Sequence, residues 1–301
     1  MRHFLNIADH PPETIRHVLD VGLQLRARFQ ETRAPETLLA GKALAMLFQK
    51  PSLRTRVSFE QAMNQLGGHA VVLGQHEVGL GQRESVGDVT RVLCGMVDAV
   101  AARVFDHEHL VEMSASATVP VVNMLSDRSH PAQALADAMT IVDEFGNADT
   151  GSFDVSGRTV AFVGDGNNVA RSLAAVCKAL GMHFRLASPA GYALPEDGFI
   201  QLTDDPAEAV AGADVVYADT FVSMGEEDEK EAKLRAFEGF QINRPLVGHA
   251  ADHAIVLHCL PAYRGVEITD QVMDGPHSRV FSQAHNRLHA QKGLLAVLMG
   301  G

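Results

Sequence analysis

The sequence has few cysteines and lacks any long apolar run. Its three cysteines, Cys94, Cys177 and Cys259, stand far apart, which argues against a disulfide framework and against a cysteine-based structural metal site. No apolar stretch reaches the roughly 20 residues that span a bilayer, and the first residues lack the apolar core of a signal peptide. We therefore expect a cytoplasmic protein that does not enter a membrane.

Positive charge is also scarce. The chain carries 25 lysines and arginines against 37 aspartates and glutamates, a formal net charge of -12. Neutralising the phosphates of a polymer needs a broad basic surface, so a nucleic-acid partner is disfavoured. A few arginines that converge locally can still hold one small phosphate whatever the net charge. The composition therefore leaves a small anionic ligand open.

The length and the apolar periodicity indicate two α/β domains. A chain of 301 residues exceeds the usual size of one domain, and apolar stretches of strand length alternate with helical periodicity throughout. The predicted strands are Ala43–Phe48, Ala70–Leu73, Ala99–Arg103, Pro120–Asn123, Thr159–Val163, His183–Ala187, Val215–Ala218 and Ile255–Leu257. This alternation predicts an α/β fold of two domains, each a parallel β-sheet flanked by helices, with an active-site cleft between them.

The domain boundary is expected in a stretch of polar and small residues. Asn, Asp, Thr, Gly and Ser replace the apolar periodicity over Gly146–Gly157, after a helix that begins near Pro131. We expect a first domain over residues 1–146 and a second over 147–285. A C-terminal helix over 286–301 is expected to pack back on the first domain.

An anion-binding turn is predicted where the first strand leads into a helix. Ser52 is a good N-cap, and the unpaired amides and dipole of the first helical turn favour negative charge. Arg54 and Thr55 add further donors. An isolated Ser-x-Arg-Thr-Arg is as well explained by a capped surface helix with solvated arginines, so its context decides.

Two further candidates follow predicted elements of the first domain. Arg103 ends a predicted strand, and His130 lies three residues before Gln133 in a His-Pro-x-Gln segment. A neutral imidazole and a carboxamide can donate to a carbonyl oxygen whose negative charge grows during attack. Taken alone, the arginine would reach solvent and the His-Pro pair would start a helix.

The segment Gly164-Asp165-Gly166-Asn167-Asn168 superficially suggests a dinucleotide turn. Val169 stands at the third glycine position, and no acidic ribose ligand stands at the expected strand end about 20 residues on. A nucleotide-dependent oxidoreductase is therefore the weaker alternative. Two other strand exits carry Asp219 and Cys259, although a lone buried cysteine is usually a small apolar residue without chemistry.

In order and spacing, these segments resemble the aspartate and ornithine carbamoyltransferase family. The matching segments are Ser-x-Arg-Thr-Arg at 52–56, His-Pro-x-Gln at 130–133, Gly-Asp-Gly-Asn-Asn at 164–168, Asp-x-x-x-Ser-Met-Gly at 219–225, His-Cys-Leu-Pro at 258–261 and the arginine of the 286–292 segment, which is expected to start the last helix. The resemblance runs from Phe48 to Lys292. It implies transfer of the carbamoyl group of carbamoyl phosphate to the δ-amine of L-ornithine in arginine biosynthesis, with no cofactor or metal. It also implies a homotrimer.

The resemblance assigns roles to individual residues. The implied catalytic residues are Arg54, Arg103, His130, Asp219 and Cys259. The implied carbamoyl phosphate-binding residues are Ser52, Leu53, Arg54, Thr55, Arg103, His130, Gln133, Cys259, Leu260 and Arg287. The implied ornithine-binding residues are Asn168, Asp219, Ser223 and Met224.

The chain departs from the family pattern at a few positions. Gly79 stands where a glutamine usually reaches carbamoyl phosphate, so either Gln82 compensates or that contact is missing. Leu53 replaces a common threonine, Phe221 a tryptophan and Tyr263 a histidine. These departures leave a non-catalytic paralogue as one alternative. A modified acceptor such as N-acetylornithine is another, although an acylated amine would leave the Asp219 carboxylate unpaired.

Overall fold

The computed structural model describes residues 1–146, 153–223 and 227–300. The chain forms two compact units: unit 1 comprises Met1–Met139 with His285–Gly301, and unit 2 comprises Thr140–Ala284. Residues 147–152 of the expected boundary segment lie outside the described ranges. The domain limits taken from the sequence therefore remain a prediction.

Unit 1 contains a four-stranded parallel sheet of order β2-β1-β3-β4. Its strands are β1 Ala43–Phe48, β2 His69–Gly74, β3 Ala99–Arg103 and β4 Val121–Leu125. The two central strands are buried along their whole length, which is why their sequences are apolar without alternation. The predicted strands are confirmed, with small differences at the ends of β2 and β4.

Unit 2 contains a five-stranded parallel sheet of order β7-β6-β5-β8-β9. Its strands are β5 Thr159–Val163, β6 His183–Ala187, β7 Gln201–Thr203, β8 Val215–Ala218 and β9 Ile255–His258. The edge strand β7 was not predicted, because its three residues are too few to show a period. The predicted fold class of parallel sheets flanked by helices is confirmed.

The helices occupy the segments between the strands. In chain order they are α1 Pro12–Thr32, α2 Leu53–Gln65, α3 Gln75–Val78, α4 Val86–Cys94, α5 Glu108–Ser116, α6 Pro131–Phe145, α7 Asn168–Leu180, α8 Pro206–Val210, α9 Lys230–Ala236, α10 Arg244–Val247, α11 Asp270–Met273 and α12 Val280–Met299. Two short 3-10 helices are Ile7–Asp9 and Glu227–Glu229. Within the described ranges, no helix combines the length and the apolar character needed to cross a membrane.

The last helix begins earlier than expected. The sequence pattern placed its start at Asn286, whereas α12 begins at Val280. The amide of Gln283 already donates to the carbonyl of Arg279 at 2.8 Å. No glycine or proline stands between Val280 and Asn286, so nothing in the sequence delays the helix.

Parallel strands bring their carboxyl ends to one edge of each sheet. In unit 1 this edge carries the segments that follow β1, β3 and β4; in unit 2 it carries those that follow β5, β8 and β9. Beneath these edges, buried apolar side chains such as Val100 in unit 1 and Val216 in unit 2 form the cores. Ligands of open parallel sheets bind beyond such edges, so the polar strand exits are the places to look for a site.

Helix α12 lies directly against α1 within unit 1. A Cβ on Gly293 would overlap the carbonyl oxygen of Val18 and would lie 2.7 Å from the amide nitrogen of Gly22. A Cβ on Gly22 would in turn lie 2.8 Å from the carbonyl oxygen of His289. Two glycines therefore allow the backbones to approach, and this approach fixes where α12 places its polar side chains.

Gly293→Ala is expected to destabilise the protein although alanine is the better helix former. The added methyl group meets backbone atoms that cannot rotate away, a kind of overpacking that costs about 1–3 kcal/mol. Urea unfolding followed by far-ultraviolet circular dichroism measures the change. Gly87→Ala in α4 is the control, since the three atoms nearest to its Cβ would all belong to side chains, the closest at 3.4 Å. Equal stability of the Gly293→Ala variant and the wild type would contradict the close approach.

Candidate active site

The turn after β1 has the geometry of a capped helix start. Ser52 adopts an extended backbone conformation, and its Oγ accepts a hydrogen bond from the amide of Thr55 at 3.3 Å. The predicted N-cap is therefore confirmed. Leu53 is 75% exposed. Because its side chain is apolar, Leu53 can offer an anion only its backbone amide.

Arg287 links two helix starts inside unit 1. Its Nη1 donates to Oε1 of Gln133 at 2.7 Å, and its Nη2 donates to Oγ1 of Thr55 at 2.9 Å. Nε2 of Gln133 donates to Oδ1 of Asp137 at 2.8 Å. All four residues are buried. The network therefore fixes which atoms of the carboxamide donate and which accept.

His130 is buried at the start of α6 among positive charges. Burial lowers the pKa of His130 well below its usual range, and the guanidinium groups of Arg287, Arg103 and Arg54 lower it further. A histidine with such a pKa is neutral at pH 7. The structure thus brings the predicted arginines and this imidazole together in unit 1.

Gln49, which the sequence did not single out, supports this edge of the sheet. Its backbone amide donates to the carbonyl of Arg103 at 2.9 Å, while its side chain accepts from the amide of Phe105 at 2.9 Å and donates to the carbonyl of Leu80 at 3.2 Å. Lys50 is also buried, with Nζ 4.5 Å from the ring centroid of Phe105. Their position immediately after an apolar strand was the available signal.

Gly79 has a conformational reason to be glycine. It ends α3 in the left-handed region at φ 60°, and a Cβ there would lie 2.8 Å from Cβ of Arg83. A glutamine at this position would therefore be strained. Gln82 is exposed in the following turn. Whether Gln82 supplies the missing carboxamide stays a hypothesis.

Asp219 is the centre of the polar cluster in unit 2. Its Oδ2 accepts from Nδ2 of Asn167 at 2.7 Å, and its Oδ1 accepts from Sγ of Cys259 at 2.9 Å. The amide of Thr220 also donates to Oδ1 at 2.8 Å. Asp219 is buried. The exits of β5, β8 and β9 are therefore joined through one carboxylate.

The two adjacent asparagines after β5 have different positions. Asn167 is the N-cap of α7, where its Oδ1 accepts from the amides of Val169 at 2.9 Å and Ala170 at 3.1 Å. Asn168, the residue predicted from the sequence, is the first residue of the helix. Asn167 was not among the predicted residues, although asparagine is a preferred N-cap and this one directly precedes the helix.

The segment after β8 is described up to Ser223. Met224, predicted to bind ornithine, lies outside the described residues, and Ser223 is partly buried. Phe221 is buried and stacks on Phe237, with ring centroids 4.7 Å apart and an interplanar angle of 15°. An aromatic ring at position 221 is therefore part of the core of unit 2.

A buried histidine and glutamate hold the backbone after β9. The amide of Leu260 donates to Nδ1 of His258 at 2.9 Å, and Nε2 of His258 lies 3.1 Å from Oε1 of Glu267. Because Nδ1 accepts, Nε2 must carry the proton that is donated to Glu267. Leu260 has a φ of 57°, which is uncommon for a branched side chain. This network therefore orients the Cys259-Leu260 peptide.

Three side chains of this cluster are also close enough to be considered as metal ligands. One ligand atom each of Asp219, His258 and Cys259 lies within 4.8 Å of the others, and such donors occur in zinc sites. Both ring nitrogens of His258 are already engaged, and the thiol donates to Asp219. The cluster as built is therefore a hydrogen-bond network rather than a prepared ligand set.

Comparisons with known proteins also divide the chain into two regions. The family model for the aspartate/ornithine carbamoyltransferase carbamoyl-P binding domain matches residues 2–143, and that for the Asp/Orn binding domain matches residues 156–298. Ornithine carbamoyltransferase of Pyrococcus abyssi is 46% identical, and the alignment covers 100% of this chain and 96% of that protein.

Two solved structures are similar over nearly their whole length. Ornithine carbamoyltransferase from Pyrococcus furiosus superposes with a TM-score of 0.93 at 46% identity, covering 100% of this chain and 97% of that one. The enzyme from Thermus thermophilus gives a TM-score of 0.87 at 44% identity, covering 98% of both chains. With both domain models and both polar strand edges in place, the chain belongs to the aspartate/ornithine carbamoyltransferase family.

Proposed function

We propose that this chain transfers the carbamoyl group of carbamoyl phosphate to the δ-amine of L-ornithine, giving L-citrulline and phosphate. The observation that carries the proposal is the group of three arginines around the buried, neutral His130 in unit 1. A doubly anionic acyl phosphate matches that charge, and the relatives compared above are named ornithine carbamoyltransferases. The reaction belongs to arginine biosynthesis.

The first domain, residues 1–146, is proposed to bind carbamoyl phosphate. The phosphate group of carbamoyl phosphate would accept hydrogen bonds from the amides of residues 53–55 and from the Ser52 hydroxyl. It would also contact the guanidinium groups of Arg54, Arg103 and Arg287. His130 and Gln133 would bind the carbamoyl group. The C-terminal helix that carries Arg287 is needed for this site, because that guanidinium already contacts Thr55 and Gln133.

Attack on the carbonyl carbon builds negative charge on the carbamoyl oxygen before the phosphate leaves. Fixed positive charges and hydrogen-bond donors in a site shielded from water stabilise such an oxyanion strongly. Arg54, Arg103 and His130 are proposed for this role. A neutral imidazole donates a hydrogen bond to the oxyanion without adding a fourth cation beside three arginines.

The second domain, residues 147–285, is proposed to bind ornithine through Asn168, Asp219, Ser223 and Met224. The nucleophile must be a neutral amine, whereas a free alkylammonium has a pKa of about 10. Cys259 with Asp219 is therefore proposed to orient this δ-amine, and Asp219 with Ser223 is proposed to receive the α-ammonium group. The Leu260 carbonyl is proposed to bind the carbamoyl nitrogen. The 2.9 Å hydrogen bond from Sγ of Cys259 to Oδ1 of Asp219 places the thiol and the carboxylate beside each other.

Citrulline formation tests the proposed function directly. The purified protein with carbamoyl phosphate should carbamoylate L-ornithine far faster than N-acetylornithine or putrescine, because only ornithine offers Asp219 a free α-ammonium group. Colorimetric ureido-group detection measures all three reactions.

Arg54→Ala is the control for that assay. It should lower kcat by about 10²- to 10³-fold without unfolding the protein, since it removes one cation from the proposed oxyanion site. Faster carbamoylation of N-acetylornithine would establish the modified-acceptor alternative. No product with any acceptor would establish a non-catalytic member of the family, and unchanged activity of Arg54→Ala would remove this turn from the mechanism.

The low pKa of His130 predicts a pH-dependent stability. In the unfolded chain this histidine takes up a proton near pH 6.5, whereas the folded protein resists it because of burial and the arginines. The free energy of unfolding should therefore fall as the pH drops below about 6.5. Between pH 7.5 and 5.5 the wild type should lose about 1 kcal/mol that His130→Asn does not lose.

Urea unfolding at the two pH values measures this difference. His69→Asn, at an exposed position of β2, is the matched control and should keep the wild-type pH dependence. The same loss of stability in the wild type and in His130→Asn would show that the folded protein protonates His130 as readily as the unfolded chain does.

We propose a cytoplasmic homotrimer. Support comes from large apolar side chains exposed on unit 1: Leu53, Val57, Val71, Val92, Met96 and Phe105. Val71 is 43% exposed on β2, which is an edge strand of the sheet, and subunit contacts commonly cover such surfaces. Light scattering should give about three times the 32.4 kDa mass of one chain, and a monomeric mass would contradict the trimer.

A further inference from the structure

Unit 2 contains a buried ion pair that the proposed chemistry does not use. Nζ of Lys233 in α9 donates to Oδ2 of Asp165 at 2.7 Å. Lys233 is 3% exposed and Asp165 is 8% exposed. Lysine is among the residues least often buried completely, and removing both charges from water costs several kcal/mol per ion. A buried pair of this kind is weak support for stability, so its position becomes the informative feature.

Asp165 belongs to the turn that carries Asn167 and Asn168, of which Asn168 is proposed to bind ornithine. The amide of Asn167 donates to the backbone carbonyl of Asp165 at 2.8 Å, and Nδ2 of Asn167 donates to Asp219 at 2.7 Å. A Cβ on Gly166 would lie 2.5 Å from the amide nitrogen of Leu194, so the turn is packed against the backbone on its other side. A shift of Asp165 would therefore move Asn167 and the start of α7.

Helix α9 also contacts the segment that follows β8. Phe237, which directly follows α9, stacks on Phe221 at 4.7 Å and meets the ring of Tyr192 at 5.2 Å. Nζ of Lys233 lies 5.7 Å from the centroid of that same tyrosine ring. Helix α9 and the residue that follows it thus contact both the Gly164–Asn168 turn and the segment beginning at Asp219.

We infer that Lys233 is a positioning residue for the amino-acid substrate. It acts through Asp165, which keeps the Gly164–Asn168 turn at a fixed position relative to Asp219. This inference rests on the proposed function, since it assigns Asn168 and Asp219 to ornithine. Lys233 itself touches neither substrate. The Lys233 charge holds the Asp165 side chain in place, and Asp165 in turn limits the movement of the turn backbone. The position of the turn determines where Asn167 and Asn168 lie relative to the Asp219 carboxylate, which is proposed to receive the substrate.

A double-mutant cycle tests the inference. Lys233→Met and Asp165→Asn should each raise the KM for ornithine about tenfold. Because both changes remove the same interaction, the double variant should also raise this KM about tenfold and not about a hundredfold. The KM for carbamoyl phosphate should stay within twofold, since the groups proposed for its phosphate lie in unit 1. Lys233→Arg should restore most of the ornithine affinity, because it returns the cation.

The controls separate positioning from folding. Lys178→Met replaces an exposed lysine of α7 and should leave both KM values unchanged. Lys233→Met could unfold because it leaves the buried Asp165 carboxylate without its lysine. The double variant also removes that negative charge, so its KM values can still be measured. A folded double variant with the ornithine KM of the wild type would overturn the inference, as would two effects that simply multiply. If the wild type forms no citrulline, the result would instead contradict the proposed function and, with it, this inference.

Discussion

The site of unit 1 depends on the acceptors that a buried guanidinium must find inside the protein. A desolvated charge without partners is too costly to keep, and Arg287 finds its partners in Gln133 and Thr55, which lie 154 and 232 residues away along the chain. These residues belong to the starts of α6 and α2, so the same bonds that satisfy the arginine fix both helix starts. Because α12 packs on α1 through Gly22 and Gly293, the last helix determines where the charge lies.

The net charge of -12 and the affinity for an anionic substrate are compatible because they act over different distances. Exposed carboxylates are screened within about 8 Å at physiological ionic strength, whereas charges in a desolvated site interact through a much lower effective dielectric constant. Burial lowers the pKa of His130 most, and the nearby guanidinium groups of Arg287, Arg103 and Arg54 lower it further. The part of this shift that the three guanidinium groups cause reflects a local positive potential, which is the sign that a phosphate requires.

The sequence was sufficient for features that repeat locally. Apolar runs such as Ala43–Phe48 and Thr159–Val163 have the strand limits that their patterns predicted, and Ser52 caps its helix as its residue type indicates. Features set by distant partners were not predictable. The bond of Asn167 to Asp219 joins residues 52 positions apart, and the pairing of Lys233 with Asp165 spans 68 positions. The start of α12 was misplaced because a motif boundary was taken for a helix boundary.

In unit 2 the number of hydrogen bonds that the Asp219 carboxylate can accept limits how a substrate could bind to it. An ionised carboxylate offers about four lone-pair sites, and Asp219 already accepts from Asn167, Cys259 and the amide of Thr220. Among the described residues these three donors leave about one acceptor site on Asp219, so under the proposed function a substrate ammonium group would use that site or take the place of the thiol. Displacement would cost the thiol S–H this acceptor, whereas the sulfur lone pairs can accept from a neutral amine in either arrangement. Either outcome restricts the approach of the amino acid to a narrow set of directions, and this restriction requires that Asn167 and its turn remain fixed.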